Sequence, residues 1–262
     1  MIENILKPYV SERFVNDPAY REGHVRIVNP LPGTVVMGLH VPEMKKIARE
    51  LAGSGDAFAI AGGFAVAESL LHEEKIVWGL MLDYMKIPLD RRLELFPDFI
   101  ARIDNWAVCD TVCGAAKWAA AKTCVLNGSP VKGAGAVRET VWNFLQQWWS
   151  SCREFEVRFA MIMSMSYFLE EEWLQEVFDR LDGLDFPSIV SEYRSGKGPG
   201  CAQGPAPYYA RMGAAWLLAT ALAKFPDRTR EYVRGSRLPD DVLRLYVRKA
   251  RESFRTRTVS PF

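Results

Sequence analysis

The chain has 262 residues, of which 49% are hydrophobic and 25% charged, and its net charge is +1. This is enough apolar material to bury one large core or two small ones, while no run approaches the roughly eighteen uninterrupted apolar residues of a membrane span. Five cysteines are too few and odd in number for a disulfide framework, and Met1–Lys7 lacks the apolar stretch and small-residue cleavage site of a secretion signal, so a reducing cytoplasm is the expected location.

Apolar residues recur at helical spacing along most of the chain. Val41–Leu51 carries Val41, Met44, Ile47, Ala48 and Leu51 on one face and stops at Gly53-Ser54-Gly55. Glu73–Met85 turns Ile76, Leu80 and Tyr84 inward and is punctuated by Pro88. The same period predicts helices over Leu89–Ile103, Trp106–Lys122, Val137–Trp149, Cys152–Phe168, Glu170–Asp182, Tyr208–Lys224, Pro226–Val233 and Pro239–Phe254. Two segments rich in Gly, Pro and Asn, 126–135 and 195–207, read as loops, and the second is long enough to be mobile. No alternation of period two stands out. The pattern predicts an all-α fold, and helix pairs spaced by about forty residues predict an α-solenoid of antiparallel HEAT-like pairs with a concave face.

Chemistry concentrates in three of these helices. Trp106 and Asp110 are four apart and share a face, placing an aromatic plane beside a carboxylate. Arg158 is a cation on an otherwise apolar helix, one turn from Glu154, with which an intrahelical ion pair is the plainer alternative to a functional role. Tyr208–Trp216 supplies a second tryptophan, Trp216, together with Arg211. Two tryptophans, an aspartate and an arginine suit a cationic, electron-poor substrate carried on a polyanion.

The charge is also polarised. From Lys224 to Arg257 there are eleven Lys and Arg against five Asp and Glu, whereas Glu170–Asp185 is acidic. Lys224, Arg244, Arg248 and Lys249 are therefore candidates, with Arg211, to meet phosphates. Cys109 and Cys113 have helical spacing for a metal, but the three histidines are scattered and no C-x-x-C pair is present, so small buried thiols are the expectation and no metal is assigned.

Four segments in order, Gly38–Ala48, Ile103–Asp110, Phe155–Ala160 and Tyr208–Trp216, followed by Phe225–Tyr232, resemble the AlkD-type DNA alkylation repair family. The resemblance runs from about Pro32 to about Arg255. It implies a single HEAT-like domain over 1–262 that holds double-stranded DNA on a basic concave face. It further implies hydrolysis of the N-glycosidic bond of purines alkylated at N3 or N7, without metal or organic cofactor. Carried over by position, it makes Trp106 and Trp216 the site tryptophans, Asp110 the catalytic carboxylate and Arg158 the DNA-contacting arginine.

The chain departs from the family pattern near Asn127–Ala136 and before Tyr208, where it is longer, over Met1–Leu31, and at His40, where an arginine would be more usual. The family also has branches without glycosylase activity. The alternative is thus a non-catalytic HEAT-like module that binds structured DNA or a protein partner. A monomer is the default expectation.

Overall fold

The computed structural model describes every residue except Pro199, which falls within the 195–207 segment. The helices are α1 (Glu3–Leu6), α2 (Glu12–Asn16), α3 (Pro18–Val28), α4 (Val41–Ala52), α5 (Ala57–Val66), α6 (His72–Tyr84), α7 (Leu89–Ile100) and α8 (Trp106–Cys113). They continue with α9 (Ala134–Trp149), α10 (Glu154–Tyr167), α11 (Leu174–Asp182), α12 (Tyr208–Lys224), α13 (Pro226–Gly235) and α14 (Asp240–Glu252). The extended elements are β1 (Thr123–Leu126), β2 (Ser129–Lys132), β3 (Arg194–Ser195) and β4 (Cys201–Ala202). The fold is all-α, as the periodicity predicts.

The chain divides into two compact units. The first comprises Met1–Phe144 and Lys197–Cys201, the second Leu145–Gly196 and Ala202–Phe262, so the division falls within α9. Each unit is built on a row of alternate helices. In the first, α6 packs between α4 and α8, with α5 and α7 alongside. In the second, α12 packs between α10 and α14, with α13 against α12. The middle helix of each row is buried over most of its surface, which is why α6 and α12 carry apolar residues all round instead of on one stripe.

Gly79 shows how closely the first row is packed. A Cβ at this position would lie 2.5 Å from both Phe99 Cζ on α7 and Val112 Cγ2 on α8. Interiors at crystal-like density do not yield to such overlap. Gly79→Ala should therefore destabilise the protein by about 1–3 kcal/mol, read from the urea midpoint.

Several elements differ from the sequence expectation. The helix predicted over Trp106–Lys122 stops at Cys113, and Lys117–Ala120 forms a 3-10 turn instead. The cause is tertiary. The Trp118 indole N–H donates to Asp83 Oδ1 at 2.6 Å, and its ring packs 5.2 Å from that of Phe96. The segment expected to be a loop at 126–135 contains a β-hairpin in which Leu126 pairs with Ser129. Asn127 (φ 49°) and Gly128 (φ 73°) supply its turn, the left-handed pair that a two-residue hairpin needs. Residues 1–31 form α1 to α3, and α5 is a further helix the periodicity did not reveal, because Ala-Phe-Ala-Ile-Ala-Gly-Gly-Phe-Ala-Val has no polar face to betray its phase.

Candidate active site and its two helical rows

Every candidate residue lies on a row helix. In the first unit, α8 buries Val108, Cys109, Val112 and Cys113 and leaves Trp106, Ala107, Asp110 and Thr111 half-buried on the opposite face. The predicted sharing of a face by Trp106 and Asp110 is thus built into the way α8 packs. Asn105 caps this helix, its Oδ1 accepting from the Ala107 N–H at 2.8 Å. The Asn105 amide and the Trp106 indole N–H both donate to the Val28 carbonyl, at 2.8 and 3.1 Å. Trp106 is therefore fixed in orientation by the C-terminal end of α3.

That end of α3 is itself held. Asn29 is left-handed (φ 50°). Its side-chain amide donates to the Cys201 carbonyl at 2.9 Å and its Oδ1 accepts from the Gly200 N–H at 3.0 Å. Part of the segment expected to be a mobile loop thus belongs to the first unit and braces the residues on which Trp106 rests. Pro199 lies outside the described residues.

The second unit holds Arg158 on α10 and Trp216 on α12. Arg158 is buried, 3% exposed, and its Nη1 donates to the Tyr209 carbonyl at 2.7 Å. A direct contact with phosphate, which the resemblance implies, would require this side chain to move. Trp216 is 38% exposed. Gly213, one turn before it, sits with its α-carbon face toward Met161 and Arg158: a Cβ there would be 3.1 Å from Met161 Sδ and 3.5 Å from Arg158 Nη1. The structure therefore brings Arg158 and Trp216 to adjoining stretches of α10 and α12.

Glu154 has partners outside its own helix. The Glu154 carboxylate is buried and accepts from the Tyr209 N–H at 2.6 Å, the Ala210 N–H at 3.2 Å and the Ser191 hydroxyl. Burial pushes its pKa up, against the opposing pull of these donors and of Arg158. In the first unit Glu73 and Glu74 are buried carboxylates of the same kind. Glu73 accepts from the Met37 and Gly38 N–H groups, and Glu74 from those of Ile2 and Leu71 and from the Met1 ammonium. No sequence motif marks them; the only signal was an acidic residue in the first turn of a mostly apolar helix.

The other candidate cations fall into two kinds. Arg211 is 9% exposed, paired with Asp241 at 2.9 Å, and lies over the Phe186 ring. Lys224 is exposed and donates to the Leu169 carbonyl at 2.6 Å. On α14, Arg244 and Arg248 line an open groove of about 660 Å³ with Arg251, Leu243, Val247 and Phe262. Arg248 approaches Glu252 at 3.6 Å, and Lys249 pairs with the same carboxylate at 2.9 Å. Among the described residues Arg244 makes no ion pair. These same residues include no cluster of three or more His, Cys, Asp or Glu able to hold a metal ion, and no helix long and apolar enough to cross a membrane.

A family profile described as DNA alkylation repair enzyme matches residues 15–181. The chain belongs to that family. The matched span contains Trp106, Asp110 and Arg158 and the whole row α4, α6, α8 of this DNA alkylation repair enzyme, whereas Trp216, Arg211, Lys224 and α14 lie beyond it. No curated protein and no solved structure matches the chain.

Proposed function

We propose that this DNA alkylation repair enzyme is a monofunctional glycosylase that hydrolyses the N-glycosidic bond of N3- or N7-alkylated purines in duplex DNA. The observation that carries the reading is the open face of α8, where a tryptophan held by its indole N–H stands one turn from a carboxylate.

The chemistry asks little of the protein. An alkylated purine of this kind is already cationic, so the C1′–N9 bond breaks with its electron pair passing to the base, which leaves neutral and needs no proton. Positive charge develops on the sugar. Asp110 stabilises that charge and orients a water molecule, which adds to C1′ and passes its proton to the surrounding solvent, leaving free base and an abasic site. Trp106 presents a π face to the cationic nucleotide, a contact worth about 0.5–2 kcal/mol, and Trp216 is a second candidate of the same kind. Arg158, on the helix packed against that of Trp216, supplies positive charge. No lysine attacks the sugar, so no strand cleavage accompanies base release. We propose also that each row belongs to a HEAT-like solenoid, that the enzyme acts as a monomer, and that it works in the cytoplasm.

Incubation with duplex DNA containing 7-methylguanine tests the reading: free base should appear faster than by spontaneous depurination. Salt-dependent binding without release would leave a non-catalytic DNA-binding protein in its place.

The cations of α14 and α12 give a separate expectation. Arg244 should contribute one phosphate contact, so Arg244→Gln lowers the slope of log affinity against log salt by about 0.9. Arg211→Gln should leave that slope unchanged and instead cost about 1–3 kcal/mol of stability, because it strands Asp241. Fluorescence anisotropy over a salt series, paired with denaturation, reads both.

A further inference from the structure

We infer that Glu154 is a positioning residue for the Arg158–Trp216 part of the site, an assignment that rests on the glycosylase reading for its effect on rate but not for its effect on structure. The argument begins at the N-terminus of α12. Pro207 precedes this 17-residue helix and provides no side-chain cap, and the first N–H groups of a helix have no intrahelical acceptor. Glu154 reaches across from α10 and accepts from the Tyr209 and Ala210 N–H groups. A carboxylate here also meets the positive end of the helix dipole.

Arg158, one turn along α10, donates to the Tyr209 carbonyl. Tyr209 is thereby gripped at its N–H by an anion and at its carbonyl by a cation, both from α10. Trp216 lies two turns further along α12, past Gly213, whose missing Cβ lets α10 and α12 close on each other. The axial position of α12, and with it Trp216 and the Arg158 guanidinium, is set by this grip. Ser191 holds the other Glu154 oxygen and anchors to Tyr193, whose ring packs 4.8 Å from that of Tyr209.

Glu154→Gln, Glu154→Asp and Ser191→Ala test the inference in protein labelled with fluorotryptophan, the Trp216 and Trp106 resonances being assigned from Trp216→Phe and Trp106→Phe. Glu154→Gln should shift the Trp216 resonance and leave that of Trp106 in place. It should also slow single-turnover base release about tenfold to a hundredfold at unchanged DNA affinity. Glu154→Asp should restore part of both, and the milder Ser191→Ala should move them in the same direction. An unmoved Trp216 resonance in folded Glu154→Gln and Ser191→Ala overturns the inference. So does a rate loss that merely follows the unfolded fraction. If the unsubstituted protein releases no base, the glycosylase reading fails, and the Trp216 resonance alone still decides the role of Glu154.

Discussion

Asp110→Asn should lower single-turnover release of 7-methylguanine by about 10²–10³-fold, the usual cost of removing a group that stabilises transition-state charge. Affinity for the same duplex should change by less than about twofold, because the charge that Asp110 opposes exists only as the bond breaks. The substitution is nearly isosteric, and Asp110 is half-buried on the outward face of α8 while the packing of that helix is carried by Val108, Cys109, Val112 and Cys113. Urea denaturation of the same variant separates a rate loss due to charge from one due to unfolding. Unchanged release would remove Asp110 from the mechanism. Parallel loss of affinity and rate would make it a binding residue.

A second large effect is expected deep in the first unit, at Asp83. Asp83 is 8% exposed and its carboxyl receives the Trp118 indole N–H on one oxygen, while Arg92 turns its guanidinium to the carbonyls of Leu82 and Met85. Burial pushes the Asp83 pKa up to about 8, from an ordinary 3.8, despite Trp118 and Arg92 pulling it down. The folded state thus binds this proton more tightly than the unfolded chain. The contribution of Asp83 to stability is complete below about 3.8 and is lost as pH rises through about 8. Asp83→Asn should flatten the decline across that interval and make the protein more stable than the parent at pH 8, by a few kcal/mol. Urea unfolding of both proteins across the interval measures it, and parallel curves would show that Asp83 is not the cause.

His72 acts in the opposite direction. It is buried, and desolvation lowers it from 6.5 to about 3, so it folds neutral. Its contribution is full above 6.5 and is lost as pH falls toward 3. His72 steepens acid unfolding on the same curves, within the range where Asp83 has its stabilising effect.

How much of this was legible in the sequence depends on where the information resides. The helices with one apolar stripe, such as α4 over Val41–Ala52 and α14 over Asp240–Glu252, were readable because burial on one side writes a 3.6-residue period. The apolar α5 wrote no such phase. The early end of α8 was unreadable because Ala115–Ala121 favours helix locally, and what overrides it is a hydrogen bond to Asp83, distant in sequence. The turn of the hairpin was in plain view at Asn127-Gly128, but the flanking Thr123–Leu126 and Ser129–Lys132 are too short and too exposed to show alternation.

The candidate site divides in the same way. The common face of Trp106 and Asp110 follows from spacing alone. The burial of Arg158 and Arg211 does not, since an arginine on an apolar helix reads equally as a cation held inside by carbonyls or as one presented to a phosphate. Glu154 was visible only as a neighbour of Arg158, because its main partners, the Tyr209 and Ala210 N–H groups, are backbone groups and leave no trace in residue identity.

The non-contiguous make-up of the first unit has a consequence for the order of events during synthesis. The backbone that braces Asn29 comes from Gly200 and Cys201, translated long after Phe144 has completed the rest of that unit. At ~5–20 residues per second, the wait is about 3 to 10 s. Through that interval the left-handed turn at Asn29, from which the Trp106 indole is hung by way of Val28, lacks the Gly200 and Cys201 backbone groups. Trp106 is thus among the last features of its unit to gain all its supports, and a nascent chain cut at the end of α9 would carry the α8 carboxylate while the brace behind its aromatic neighbour is still missing.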